Sequence, residues 1–138
     1  MTHNLEPGVP VAPATVSVRS PFSVTETVER LTAVIKARGI ELFIVLDQRA
    51  AARGVGLDMN ETVLLLFGNP RGGTPVMQAK PLAALELPLR AVVWADDDAS
   101  VWVSHHDMAE VGRLYEVPEE LMKPLLGVGV LVSTALGE

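Results

Sequence analysis

"LLLFGNPRGGTPVMQ", residues 64–78, contains the break on which the fold turns. An unbroken apolar run ends at Gly68 and gives way to Asn, Pro, Arg, Gly and Thr before apolar residues resume. A strand flanked by neighbours on both sides reads this way, so Thr62–Phe67 is expected as a central strand. Thr74 followed by Pro75 reads as a helix N-cap with proline at the first helical position, where its missing N–H costs nothing. The residues between are then expected as a loop.

Two readings of that loop stay open. Gly68, Gly72 and Gly73 permit positive φ, and successive N–H groups can then converge on an anion. The following helix start adds positive potential, Arg71 a bidentate charge, and Asn69 and Thr74 further hydrogen bonds. Asn69, Arg71, Gly72, Gly73 and Thr74 are thus the candidate ligand site. Neither the phosphate-loop ending nor the dinucleotide fingerprint is present. The plainer reading is a strand-to-helix connection in which Asn69 caps local backbone.

Outward from the break, Ala14–Arg19 alternates and reads as a first strand. Ser23 with Glu26 three residues on forms a capping box, and Val24, Val28, Leu31 and Ile35 give one apolar helical stripe. Lys36 and Arg38 suit the negative end of that helix, and Gly39 is the expected C′ residue. Ile40–Asp47 is apolar at nearly every position and reads as a strand covered on both faces. "QRAAARGVG" allows at most two turns of helix. Pro81 is expected to break the helix near Ala79–Lys80, and Pro88 to prevent continuation into Leu89.

Leu89–Ala95 and Val101–Ser104 read as a hairpin around "DDDAS". A loop of Asp97–Ala99 would set Trp94 directly opposite Trp102. Two closing helices are expected from "DMAEVGRLYEV" and "PEELMKPLLGVGVLVSTAL". Residues 1–13, rich in proline, are expected as an extended arm, and 14–138 as one domain. The hairpin makes part of the sheet antiparallel. The fold class expected is therefore α+β, a two-layer sandwich with a mixed or antiparallel sheet and helices on one face.

The totals narrow the chemistry. The chain has 138 residues, 49% of them apolar, and a net charge of −6. With so acidic a balance and scattered cations, no nucleic-acid partner is expected. No apolar run approaches the ~18 residues of a membrane helix, so no membrane partner is expected either. Cysteine is absent, which removes thiolate chemistry and fits a cytoplasmic location. No signal peptide is read at the N-terminus.

"SHHD", residues 104–107, is the second constellation. Adjacent histidines on a strand point to opposite sides, which argues against shared metal chelation. His105 with Asp107 would make an acid–base pair; alternatively Asp107 caps the next helix, with Glu110 completing a box. His3 lies in the arm and supports nothing. Asp96–Asp98 lacks the spaced ligands of a calcium loop and reads as a solvated turn. Met59, Met77, Met108 and Met122 read as core fillers. No metal and no cofactor are expected. Glu86, between Leu85 and Leu87, is a candidate proton donor if buried.

Residues 67–94 resemble the bacterial domain-of-unknown-function family 302 (DUF302). The residues that carry this are Phe67–Pro70, Gly73–Pro75 and Leu85–Leu89, the last leading into a strand with an aromatic residue. The upstream stretch 27–57 resembles the family's first helix, second strand and Ala-rich connection. The likeness covers roughly residues 22–107. It departs at Val76, where leucine is common, and at "VSHHD", where relatives more often carry Tyr and Asn. The resemblance implies a compact α+β domain that forms homodimers and has no agreed activity.

Three functions follow in order of expectation. The first is a homodimeric module that binds a small, anionic ligand at the loop, with His105 lining the site. The second is an interaction or regulatory module without a small-molecule site, using the apolar segment Leu125–Leu136 as its interface. The third is a metal-independent enzyme that uses His105 with Asp107.

Overall fold

The computed structural model of the chain describes residues 8–138. The first half of the expected arm, with His3, lies outside them. The elements run β1 (Thr15–Ser20), α1 (Val24–Ala37), β2 (Glu41–Asp47), α2 (Gln48–Arg53), β3 (Thr62–Gly68) and α3 (Pro70–Ala79). A 3₁₀ turn (Pro81–Glu86) leads to β4 (Leu89–Ala95) and β5 (Val101–His106). Helices α4 (Met108–Leu114), α5 (Glu119–Met122) and α6 (Val128–Ala135) close the chain, with a 3₁₀ turn Lys123–Leu125 between the last two.

The strands form one sheet in the order β1-β5-β4-β3-β2, every neighbouring pair antiparallel. The fold is α+β. Leu65, Phe67, Ala91, Val93 and Val103 alternate along β3, β4 and β5 and are buried on one face. Helix α1 packs there on β3 and β4 and against α6, adding Val24, Leu31 and Ile35 to the same core.

Local signals explain the α1 boundaries. Ser23 accepts a 3.1 Å hydrogen bond from the Glu26 N–H, while the Glu26 carboxylate turns to Arg30 at 3.1 Å. At the other end Gly39 takes φ +70°. The Ile40 N–H reaches the Ile35 carbonyl and the Gly39 N–H that of Lys36. Those two bonds satisfy carbonyls that the helix end would otherwise orphan.

The hairpin has the expected register: Trp94 pairs with Trp102 and Ala95 with Val101. Asp96 organises the turn. Its Oδ1 accepts from the Asp98 and Ser100 N–H groups and its Oδ2 from the Trp102 indole.

Several expectations are corrected. β2 is not covered on both faces. It is a sheet edge with only β3 beside it, and Phe43, Ile44, Val45 and Leu46 are all exposed. The Leu125–Leu136 segment is divided between core and surface: Leu125, Val128, Leu131, Val132, Ala135 and Leu136 are buried, whereas Leu126 and Val130 are 48% and 62% exposed. Pro124 and Gly127 divide the expected final helix into three pieces instead. Met59 is exposed, whereas Met108 and Met122 are core residues as expected.

Candidate functional site

The Gly-rich stretch is a helix start, not a loop. Asn69 is extended and its side chain accepts a 2.9 Å hydrogen bond from the Arg71 N–H, which makes it the N-cap of α3. Pro70, not Pro75, occupies the first helical position. The Gly72 and Gly73 N–H groups both point back to the Asn69 carbonyl, at 2.9 and 3.1 Å, and so do not converge on an anion. Gly68, Gly72 and Gly73 are absent from the positions with positive φ.

Packing explains the glycines. A Cβ on Gly72 would lie 3.2 Å from the Pro124 Cβ, so α3 approaches the Lys123–Leu125 turn more closely than alanine permits. Tertiary contact thus outweighs the poor helix propensity of two adjacent glycines.

The first turns of α3 border a cavity of about 240 Å³. Gly68, Asn69, Pro70, Gly73, Thr74 and Met77 form one side. Leu87, Pro88 and Leu89 enter from the start of β4, Phe43 from β2 and Leu125 from the 3₁₀ turn. Of the five predicted ligand residues, Asn69, Gly73 and Thr74 line it. Gly72 is buried against Pro124 and Leu125 instead, and Arg71 is exposed and outside the lining. The lining is mainly apolar. Its polar groups are the Asn69 amide, the Thr74 hydroxyl and main-chain atoms.

The "SHHD" residues do different work. His105 points into the core, and its Nδ1 lies 2.9 Å from the His106 carbonyl. Among the described residues its Nε2 has no hydrogen-bond partner. Burial holds the His105 pKa below the ordinary 6.5, partly offset by the His106 carbonyl and by Asp107. Asp107 Oδ1 accepts from the Ala109 and Glu110 N–H groups and caps α4. His105 is not among the residues lining the cavity.

Glu86 is half-buried, as the sequence made it worth watching, but it has partners that sequence did not indicate. Its Oε2 accepts a 2.7 Å hydrogen bond from the Tyr115 hydroxyl, and its Oε1 lies 3.4 Å from His106 Nδ1. The neighbouring carboxylate holds the Tyr115 pKa above 10.0. Phe43, Met77 and Leu125 were also missed as site residues, because only the folded chain brings them to α3. Among the described residues no cluster of three His, Asp or Glu is arranged to hold a metal.

Comparison with known proteins places this geometry. A solved structure described as an uncharacterised conserved protein DUF302 from Bacillus stearothermophilus superimposes with a TM-score of 0.75. It is 19% identical, and the match covers 91% of this chain and 98% of that one. The likeness is one of fold. Among curated proteins, the chain is 35% identical over 127 residues to one named fluoride-specific ion channel FluC 1 from Brucella suis. It is equally similar to the one so named from Brucella abortus. The match covers 89% of this chain but 50% and 47% of those proteins, so the chain spans about half of the relatives it matches. No helix among the described residues is long and apolar enough to cross a membrane. The model of the family described as "Domain of unknown function DUF302" matches residues 16–126, and the chain belongs to that family.

Proposed function

We propose that the protein is a small-ligand-binding module whose site is the cavity between the start of α3 and the start of β4. The observation that carries this reading is that the start of α3 and Leu87–Leu89 meet Phe43 from β2 and Leu125 from the C-terminal region, both distant in sequence, around one hollow. At about 240 Å³ it lies below the ~300–1,000 Å³ of drug-sized pockets, so the ligand is small. The apolar walls favour a short hydrocarbon body. The Asn69 amide NH₂ and the Thr74 hydroxyl can donate to one polar or anionic end group, the first-turn N–H groups of α3 being already bonded within the cap. A short-chain carboxylate has this chemistry. The protein acts as a homodimer on this reading.

Native mass spectrometry of untagged protein tests it. Extra mass that is released on denaturation, retained in Arg71→Ala and lost in Gly73→Leu supports the cavity as the site. Retention in Gly73→Leu contradicts it, since that side chain fills the hollow.

A second reading draws on the relatives named as fluoride channels. Here the module accompanies an ion channel as a soluble regulatory partner. Fluoride itself suits the cavity poorly, because a small, strongly hydrated anion needs donors to replace its water and these walls offer few. A fluoride titration followed by ¹⁹F line width distinguishes the two. Broadening by this protein that Gly73→Leu abolishes favours fluoride as the ligand, and a sharp line excludes it.

A further inference from the structure

The sheet has a second face, turned away from the core. Val93 and Val103 are fully buried in the core, so by alternation Val92, Trp94 and Ser104 point the other way. Pro10, Val11 and Ala12, ahead of β1, border a groove of about 340 Å³ over those three side chains, Ser17 and Thr62. The groove shares no residue with the cavity at α3. Its volume falls within the ~300–1,000 Å³ of small-molecule sites. The rim is tied down where the Ala12 carbonyl accepts from the Thr15 N–H and hydroxyl, at 3.3 and 2.7 Å.

The floor of the groove holds one proton more than it uses. The Trp94 indole N–H donates to Ser104 Oγ at 2.9 Å, and the Ser104 and Ser17 hydroxyls share one hydrogen bond of 2.7 Å. Each hydroxyl carries a single proton. Whichever serine donates, the proton of the other has no acceptor among the described residues. Ser17 is 8% exposed, so this donor lies deep, and a buried donor is costly to leave unmade. The Thr15 and Thr62 hydroxyls are already spent on the Ala12 and Asn60 carbonyls. No side chain lining the groove carries a charge. Past Trp94 and Thr62 the surface continues to Asp96 and Asp97, which repel an anion.

We infer that this groove binds a flat, neutral aromatic molecule through one carbonyl oxygen. That oxygen accepts the spare serine proton while Trp94 and Val92 cover the ring. The indole is held by its bond to Ser104 and so offers a preset aromatic wall, and ring–ring contact adds to plain apolar burial. A sugar would match the tryptophan but brings several hydroxyls to a groove with one free donor. A carboxylate, the class proposed for the cavity at α3, meets no cation here. The two sites thus take ligands of different charge.

An acetophenone titration of the full chain, labelled at the indole nitrogens and valine methyls, tests the assignment. α-Methylstyrene has the same shape without the oxygen, and benzoate adds the charge. The chain has two tryptophans, and Trp102→Phe assigns their resonances. Acetophenone is expected to move the Trp94 indole and Val92 methyl resonances saturably, and equally in wild type and Gly73→Leu. α-Methylstyrene should bind roughly tenfold more weakly, and benzoate should leave Trp94 fixed.

Val92→Phe fills the groove and should abolish the shift. The Trp102 indole, bonded to Asp96 outside the groove, reports that this variant is folded by keeping its wild-type resonance. Thr62→Leu fills the groove from β3 and repeats the test independently. A Trp94 resonance that acetophenone leaves fixed overturns the inference, as does equal affinity for acetophenone and α-methylstyrene. A shift that survives in both filled variants places the molecule elsewhere and overturns it too. A shift lost in Gly73→Leu overturns it in favour of the cavity at α3.

Discussion

The Tyr115 hydroxyl donates a 2.7 Å hydrogen bond to Glu86 Oε2 and thereby ties the end of α4 to the 3₁₀ turn that precedes β4. Ionising the phenol would place a second negative charge beside that carboxylate, so its pKa stands above 10.0. Tyr115 is the chain's single tyrosine, and absorbance at about 295 nm therefore reports it alone. The phenol should titrate above the ordinary ~10 in wild type and move back toward it in Glu86→Gln. An unchanged titration in that variant would remove Glu86 as the cause.

His105 makes stability depend on pH in a defined direction. Its imidazole binds a proton more weakly in the fold than in the unfolded chain, where the value is near 6.5. Between that value and the lower folded one, the unfolded state holds more protons. Stability is therefore at its full value above 6.5 and falls as pH drops through the window. Urea midpoints from about pH 7.5 to about pH 5 should decline in wild type and decline less in His105→Leu. Equal slopes would assign the pH dependence to other groups.

The two glycines of α3 should respond oppositely to alanine. At Gly73 a Cβ would meet Leu87 Cδ1 at 3.7 Å and Met77 Cε at 3.9 Å, ordinary contacts. Gly73→Ala should raise stability by about 0.5–1 kcal/mol through helix propensity. At Gly72 the Pro124 Cβ is 3.2 Å away. Gly72→Ala should cost about 1 kcal/mol or more, because two backbone-proximal groups must separate. Denaturant midpoints that rise equally for both would contradict the packing role of Gly72.

Much of this fold was legible because the signals were local. Ser23, Gly39 and Pro81 marked element ends through their own backbone chemistry, and the Asp97–Ala99 loop fixed the Trp94–Trp102 pair. Asn69 was legible as a cap but not as the cap of a helix that runs through Gly72 and Gly73. That outcome depends on Pro124, about fifty residues away in sequence, which favours close approach over propensity. Burial was read less well. A continuous apolar run looks alike in a central strand and in an edge strand, so β2 was read as covered on both faces although it lies at the sheet edge. The cavity combines both limits. Its Gly68–Thr74 and Leu87–Leu89 walls lay in the stretches that carry the family likeness, whereas Phe43 and Leu125 needed the topology.

The cavity as a ligand site is tested most directly at Met77, whose methyl group lies 3.9 Å from the position a Cβ on Gly73 would take. The measurement is a hexanoate titration followed by the Met77 methyl resonance, with Gly73→Leu as the filled-cavity control. A saturable shift in wild type that is absent in Gly73→Leu is the predicted result. A Met77 resonance that stays fixed in wild type, or that moves equally in both proteins, would contradict the assignment of this cavity as the site for a short-chain carboxylate.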